Sequence, residues 1–130
     1  MKYLFILISF LSFIQFSLAA EKTYTLQSGD ASLSVVKDGK RLILQTGNAH
    51  YLSLNAPYVV TLEVNAETLN GYYSSVKEEK GSLVCIAKLK SSHGTVFHVK
   101  DVFAPDTENH FRMDREVTIE KIGKGDDYFN

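Results

Sequence analysis

Tryptophan is absent from this sequence, cysteine occurs once and proline twice. A lone cysteine, Cys85, rules out an intramolecular disulfide, so no staple of the kind that holds small extracellular modules together is available. Clusters of lysine and arginine are missing too, and the formal charge of the whole chain is −1. That near-balance argues against nucleic acid as a partner. There is no N-x-Ser/Thr sequon, hence no expected N-glycosylation. Nor is there a G-x-S-x-G, G-x-G-x-x-G or G-x-x-x-x-G-K motif to signal a nucleophile elbow, a dinucleotide site or a phosphate loop. His50, His93, His98 and His110 stand apart. His93 and His98 are separated by a turn, and no acid or cysteine completes a metal-ligand spacing. No metal and no cofactor are expected.

What is present begins with an export signature. Lys2 supplies one positive charge, Tyr3 to Phe16 is almost uninterruptedly apolar, and Ser17-Leu18-Ala19 places small residues where a signal peptidase reads them. Residues 1–19 read as a signal peptide cut before Ala20. The alternative is an uncleaved anchor, because the apolar run nears bilayer-spanning length. Cleavage leaves 111 of the 130 residues, enough for one domain with one core. Without Lys2 the balance is 13 basic against 15 acidic residues, or −2. Export without disulfides suits a bacterial periplasm or cell surface, with no membrane association after cleavage.

The pattern of residues 20–130 is that of strands. Phe111, Met113, Arg115, Val117 and Ile119 alternate with Arg112, Asp114, Glu116, Thr118 and Glu120. A period of two assigns the first set to a buried sheet face and the second to water. At roughly 3.3 Å per residue the run to Ile122 extends about 40 Å, so it carries a bulge or belongs to a large sheet. Ser32–Val36 and Arg41–Gln45 flank Lys37-Asp38-Gly39-Lys40. Asp-Gly at the centre suits a type I′ turn and sets Val35 opposite Leu42 and Leu33 opposite Leu44, all on one face.

Elsewhere His50–Leu54 alternates weakly, and Pro57 marks an edge or a strand start. Tyr58, Val60, Leu62 and Val64 share a face. Asn65–Gly71 reads as a connection with room for one helical turn, Tyr72–Lys77 as a strand, and Glu78–Gly81 as a charged turn. The apolar run Leu83-Val84-Cys85-Ile86-Ala87 predicts a central strand buried on both faces. Thr95–Phe103 follows, and Ala104–His110 leads back to the long strand. The count is seven or eight strands, with turn signals spaced as in an all-β antiparallel sandwich. Gly123–Asp127 is turn-like and Tyr128-Phe129-Asn130 begins a further strand, so the domain of residues 20–130 reads as truncated at its C-terminal end. Otherwise the long strand has an unpaired edge. A loose C-terminal tail is the alternative.

Four groups of residues are candidates for chemistry. Asp114, Glu116 and Glu120 share the polar face of one strand, where carboxylates are ordinarily solvated rather than paired for acid–base work. Asp101 interrupts the apolar face of Phe97, Val99 and Phe103, as Arg115 interrupts that of the long strand, which predicts a structural ion pair between them. Cys85 lies mid-strand with no basic neighbour and reads as an inert thiol. Tyr72 and Tyr73, with Tyr51 and Tyr58, offer flat apolar faces with polar tips and are candidate sugar platforms. The absence of tryptophan counts against that reading.

The stretch T-V-F-H-V-K-D-V-F…N-H-F-R-M-D-R-E-V-T-I-E-K, residues 95–121, resembles the N-terminal β-sandwich (supersandwich) domain of secreted bacterial six-hairpin (α/α)-barrel glycosidases. The likeness covers about a quarter of the chain and consists of two long strands and a late Asp-Arg pair. It implies a non-catalytic domain of a glycoside hydrolase, partnered by a C-terminal catalytic domain. The family's catalytic carboxylates lie in the helical barrel, so no catalytic residue carries over. A stand-alone periplasmic or surface module for polysaccharide or protein is the alternative.

Overall fold

A computed structural model describes residues 22–36, 39–46, 50–54 and 58–126. The signal-peptide segment, Lys37-Asp38, Pro57 and the strand start at Tyr128 lie outside these residues. Every regular element described is a β-strand and every pairing is antiparallel. The first sheet is a meander of β1 (Thr23–Ser28), β2 (Ala31–Val36), β3 (Arg41–Thr46) and β4 (His50–Leu54). A hairpin of β5 (Val60–Val64) and β6 (Glu67–Gly71) forms the second. The third is the meander β7 (Ser75–Glu79), β8 (Ser82–Lys90), β9 (Val96–Pro105) and β10 (Phe111–Lys121).

Alternation explains the core. Leu26, Leu33 and Val35 of the first sheet, Val60 and Leu69 of the hairpin, and Leu83, Cys85, Ala87, Leu89, Phe97, Val99 and Phe103 of the third sheet are buried in one cluster. Each set holds every second position of its strand, so the inner faces of the three sheets meet. The β2–β3 register pairs Val35 with Leu42 and Leu33 with Leu44, as the hydrophobic pattern requires. Polar bonds tie the sheets together at one end. Ser28 Oγ donates to the Thr107 carbonyl at 2.9 Å, and the Asp30 amide donates to Asn109 Oδ1 at 2.7 Å.

Four expectations change. Among the described residues ten strands form, rather than seven or eight. The supposed connection at Asn65–Gly71 is a tight hairpin, with Val64 opposite Glu67 and both Asn65 (φ 49°) and Ala66 (φ 62°) left-handed. Two left-handed central residues are what a two-residue hairpin turn demands, but alanine there carries no sequence signal. β8 is central as expected, yet buried on one face only: Val84 and Ile86 are intermediate and Lys88 and Lys90 exposed. β-branched side chains suit the outer face of an antiparallel sheet as well as a core. Finally, β10 turns its apolar set toward the inner face without covering it. Met113, Val117 and Ile119 remain 48, 43 and 44% exposed, whereas Phe111 at the start of the strand packs against the core. The expected bulge sits between Ile119 and Lys121.

Gly39 is required twice over. Its φ is 82°, and a Cβ would stand 2.3 Å from the Tyr73 carbonyl oxygen, whose own amide donates to the Gly39 carbonyl at 3.2 Å. Gly39→Ala is therefore expected to lose about 2–3 kcal/mol. Ala66→Gly is expected to gain roughly 0.5–1 kcal/mol, the relief of a left-handed alanine less the added unfolded-state entropy. Urea midpoints of the two variants check both signs.

Candidate functional site

The most enclosed polar constellation is centred on Asp101, which has no solvent exposure. In the β9–β10 register Asp101 stands directly opposite Arg115, so both side chains leave the sheet on the inner face. Arg115 Nε and Nη2 each donate to a different carboxylate oxygen at 2.7 Å, a bidentate fork. The Tyr73 hydroxyl donates to Asp101 Oδ2 at 2.5 Å, and Arg115 Nη1 reaches toward the Thr61 carbonyl at 3.5 Å. The structure thus brings Asp101 and Arg115 together and adds a tyrosine that the sequence pattern assigned elsewhere.

Tyr73 is a correction to the sugar-platform reading. It is 2% exposed, its ring packs edge-on to Phe103 at 6.4 Å, and its hydroxyl is committed to Asp101. No ligand can stack on it. Tyr72, one residue earlier and so on the opposite side, is 40% exposed and lies 5.5 Å from the equally exposed Tyr58, the rings tilted by 41°. The side chain of Tyr51 lies outside the described residues.

The surroundings set the proton affinities. Burial foremost, then the hydrogen bond to the Asp101 carboxylate, drives the Tyr73 phenol above its ordinary value. Cys85, opposite Asp101 in the β8–β9 register, is fully buried; burial and then the nearby carboxylate push its thiol up to about 12. A thiol held protonated is a poor nucleophile. Arg115 is raised further by its hydrogen bonds to Asp101.

A second polar cluster escaped the sequence because its members are brought together only by the fold. Asp126 accepts hydrogen bonds from the Thr95 hydroxyl and, at 2.9 Å, from the Ser91 hydroxyl, and lies 3.1 Å from His93 Nδ1. The Thr95 hydroxyl in turn accepts from the Gly123 amide at 2.8 Å. These bonds, Thr95 first, hold the Asp126 carboxyl below its usual range against the opposing effect of burial. Serine, histidine and aspartate are the residue types of a hydrolytic triad, but the geometry is not that of one. Ser91 Oγ donates to the aspartate rather than to the imidazole, and accepts from the Thr95 amide at 3.0 Å. With Glu67, which accepts from the Ser92 amide at 2.9 Å, the cluster borders a cleft of about 540 Å3 and fastens residues 123–126 to the β8–β9 turn.

The remaining acids are solvent-facing. Asp114 pairs with Arg112 at 2.9 Å and Glu120 with Lys88 at 2.8 Å, all four exposed, and such pairs contribute little. Among the described residues no grouping of histidine, cysteine and carboxylates fits a metal ion, and no buried side-chain nitrogen or oxygen lacks a partner.

Two predictions follow from the buried network. Asp101→Asn should cost about 2–4 kcal/mol, discounted from a fully buried pair because the Arg115 side chain is 27% exposed, and Tyr73→Phe about 1–2 kcal/mol; chemical denaturation reads both. The folded pKa values of Cys85 and Tyr73 both lie above their ordinary values of about 9 and 10. The fold therefore holds protons that the unfolded chain releases, and stability present below pH 9 is lost as pH rises beyond it. Cys85→Ala should delay that decline by about one pH unit, toward the onset set by Tyr73, which urea titrations across the alkaline range would show.

No protein-family model, curated protein or solved structure matches this chain.

Proposed function

We propose that residues 20–130 are a secreted, non-catalytic β-sandwich acting as a scaffold domain of a carbohydrate-active enzyme of the glycoside hydrolase type, with a separate catalytic domain as its partner. The observation that carries this reading is the commitment of the chain's buried polar groups. Asp101 is saturated by Arg115 and Tyr73, and Asp126 by Thr95 and Ser91 with His93 alongside. Glycoside hydrolysis needs two carboxyl groups facing a common substrate, one of them free to give up a proton. Neither buried acid offers that, and the acids of β10 lie on its solvent-facing side. The likeness of residues 95–121, which form β9 and β10, to the sandwich domain of six-hairpin glycosidases supplies the enzyme class.

Under this reading the purified domain releases no reducing sugar from any member of a panel of plant, bacterial and host glycans. Turnover that survives repurification and disappears in the Asp126→Asn variant would falsify it.

The exposed Tyr58–Tyr72 pair favours a second reading, a polysaccharide-binding module. There, replacing both tyrosines with alanine should weaken retention on an immobilised polysaccharide by about tenfold while leaving the unfolding midpoint nearly unchanged. Equal retention of the parent and double variant would count against it.

A further inference from the structure

We propose that the outer edge of β10 is a strand-addition site for a partner strand that alternates apolar residues with lysine or arginine. At eleven residues, β10 is the longest strand, and it lies at the end of its sheet. One side of it pairs with β9, and among the described residues no strand pairs with the other. Such an edge presents unmatched amides and carbonyls at a spacing another strand can meet. The usual protections are slight here: the bulge comes only after Ile119, and no proline interrupts Phe111–Lys121.

The side chains state what the partner must look like. On the inner face Met113, Val117 and Ile119 are each more than two-fifths exposed, and Phe111 and Met113 join Leu33, Leu42, Leu44 and Phe103 around an apolar groove of about 320 Å3. An added strand must therefore carry apolar residues on that face. On the outer face stand Arg112, Asp114, Glu116, Thr118 and Glu120 and, past the bulge, Lys121, three acids to two bases, with Asp114 and Glu116 consecutive on that face. Charges directly opposite across a strand pair attract or repel according to sign, so a strand with lysine or arginine opposite Asp114 and Glu116 is selected.

A second copy of this chain is the less favoured occupant. Antiparallel self-pairing that keeps inner face beside inner face has three central registers. Centred on Arg115, it sets Asp114 against Glu116, twice, and Arg115 against Arg115; centred on Val117, it sets Asp114 against Glu120, twice. These two oppose like charges only, which resists self-association. Centred on Glu116, it sets Glu116 against Glu116 at the middle and Arg112 against Glu120 on either side, so self-pairing has one register open to it against three acids facing lysine or arginine in the proposed partner. This surface is argued from the strand alone and stands or falls separately from the scaffold reading.

The test uses two designed nine-residue peptides, one alternating valine with lysine and one alternating valine with glutamate. Fluorescence anisotropy reads affinity for the purified domain, and hydrogen exchange read by mass spectrometry locates the contact. The valine–lysine peptide should bind at least roughly tenfold more tightly than its counterpart and protect amides within Phe111–Lys121. In the Asp114→Lys/Glu116→Lys variant, whose changes fall on exposed positions, the preference should reverse. Equal affinities, protection outside β10 or no binding would overturn the proposal. So would a domain that sediments as a dimer with its β10 amides already protected, which would make a second copy the occupant after all.

Discussion

The buried carboxylate of Asp101 is the constraint on which the rest of the molecule depends. A charge taken wholly out of water is tolerable only if matched by donors of good geometry. Arg115 from β10 and Tyr73 from the segment before β7 supply them. Since Tyr73 is also the residue against which Gly39 lies and whose amide the Gly39 carbonyl accepts, the turn between β2 and β3 is positioned by the same network. One ionised group thus links the first sheet, the segment leading into β7 and the edge strand. An apolar trio could match its stability; what the fork adds is a match between one residue of β10 and one of β9, in step with the apolar pairs on either side.

Much of this was legible in the sequence wherever local chemistry and periodicity agree. The β2–β3 register could be read because the alternating leucines and valines of the two strands demand one pairing. Asp101 and Arg115 were legible as interruptions of two apolar faces, and such interruptions tend to meet. Tyr72 and Tyr73 show where reading stops. Neighbours in an extended chain point to opposite sides, so one of them had to face inward, but composition gives no reason to choose which. The hairpin at Asn65-Ala66 was hidden because Ala66 does not advertise a left-handed backbone. The Asp126 cluster was hidden because its hydrogen bonds span 31 to 35 residues, a separation that no local pattern records.

The two polar clusters divide the work in different ways. The Asp101 network lies inside the core and joins elements distant in sequence. The Asp126 cluster lies at a rim and joins a turn to the segment just after β10. Both use carboxylates as multiple acceptors, so Asp101 and Asp126 are spent on holding the chain in place.

Each sheet is assembled from strands that follow one another directly, so every ladder closes a short loop. A chain wired this way can zip each meander from its own turns before the three sheets meet, since little loop-closure entropy opposes any single pairing. The long-range step is then the docking of preformed faces, and its cost falls on a few side chains, Asp101 foremost. The order of events during synthesis is therefore expected to follow the order of the sequence. The first meander can exist before the strand that will finally neutralise the buried acid has been made.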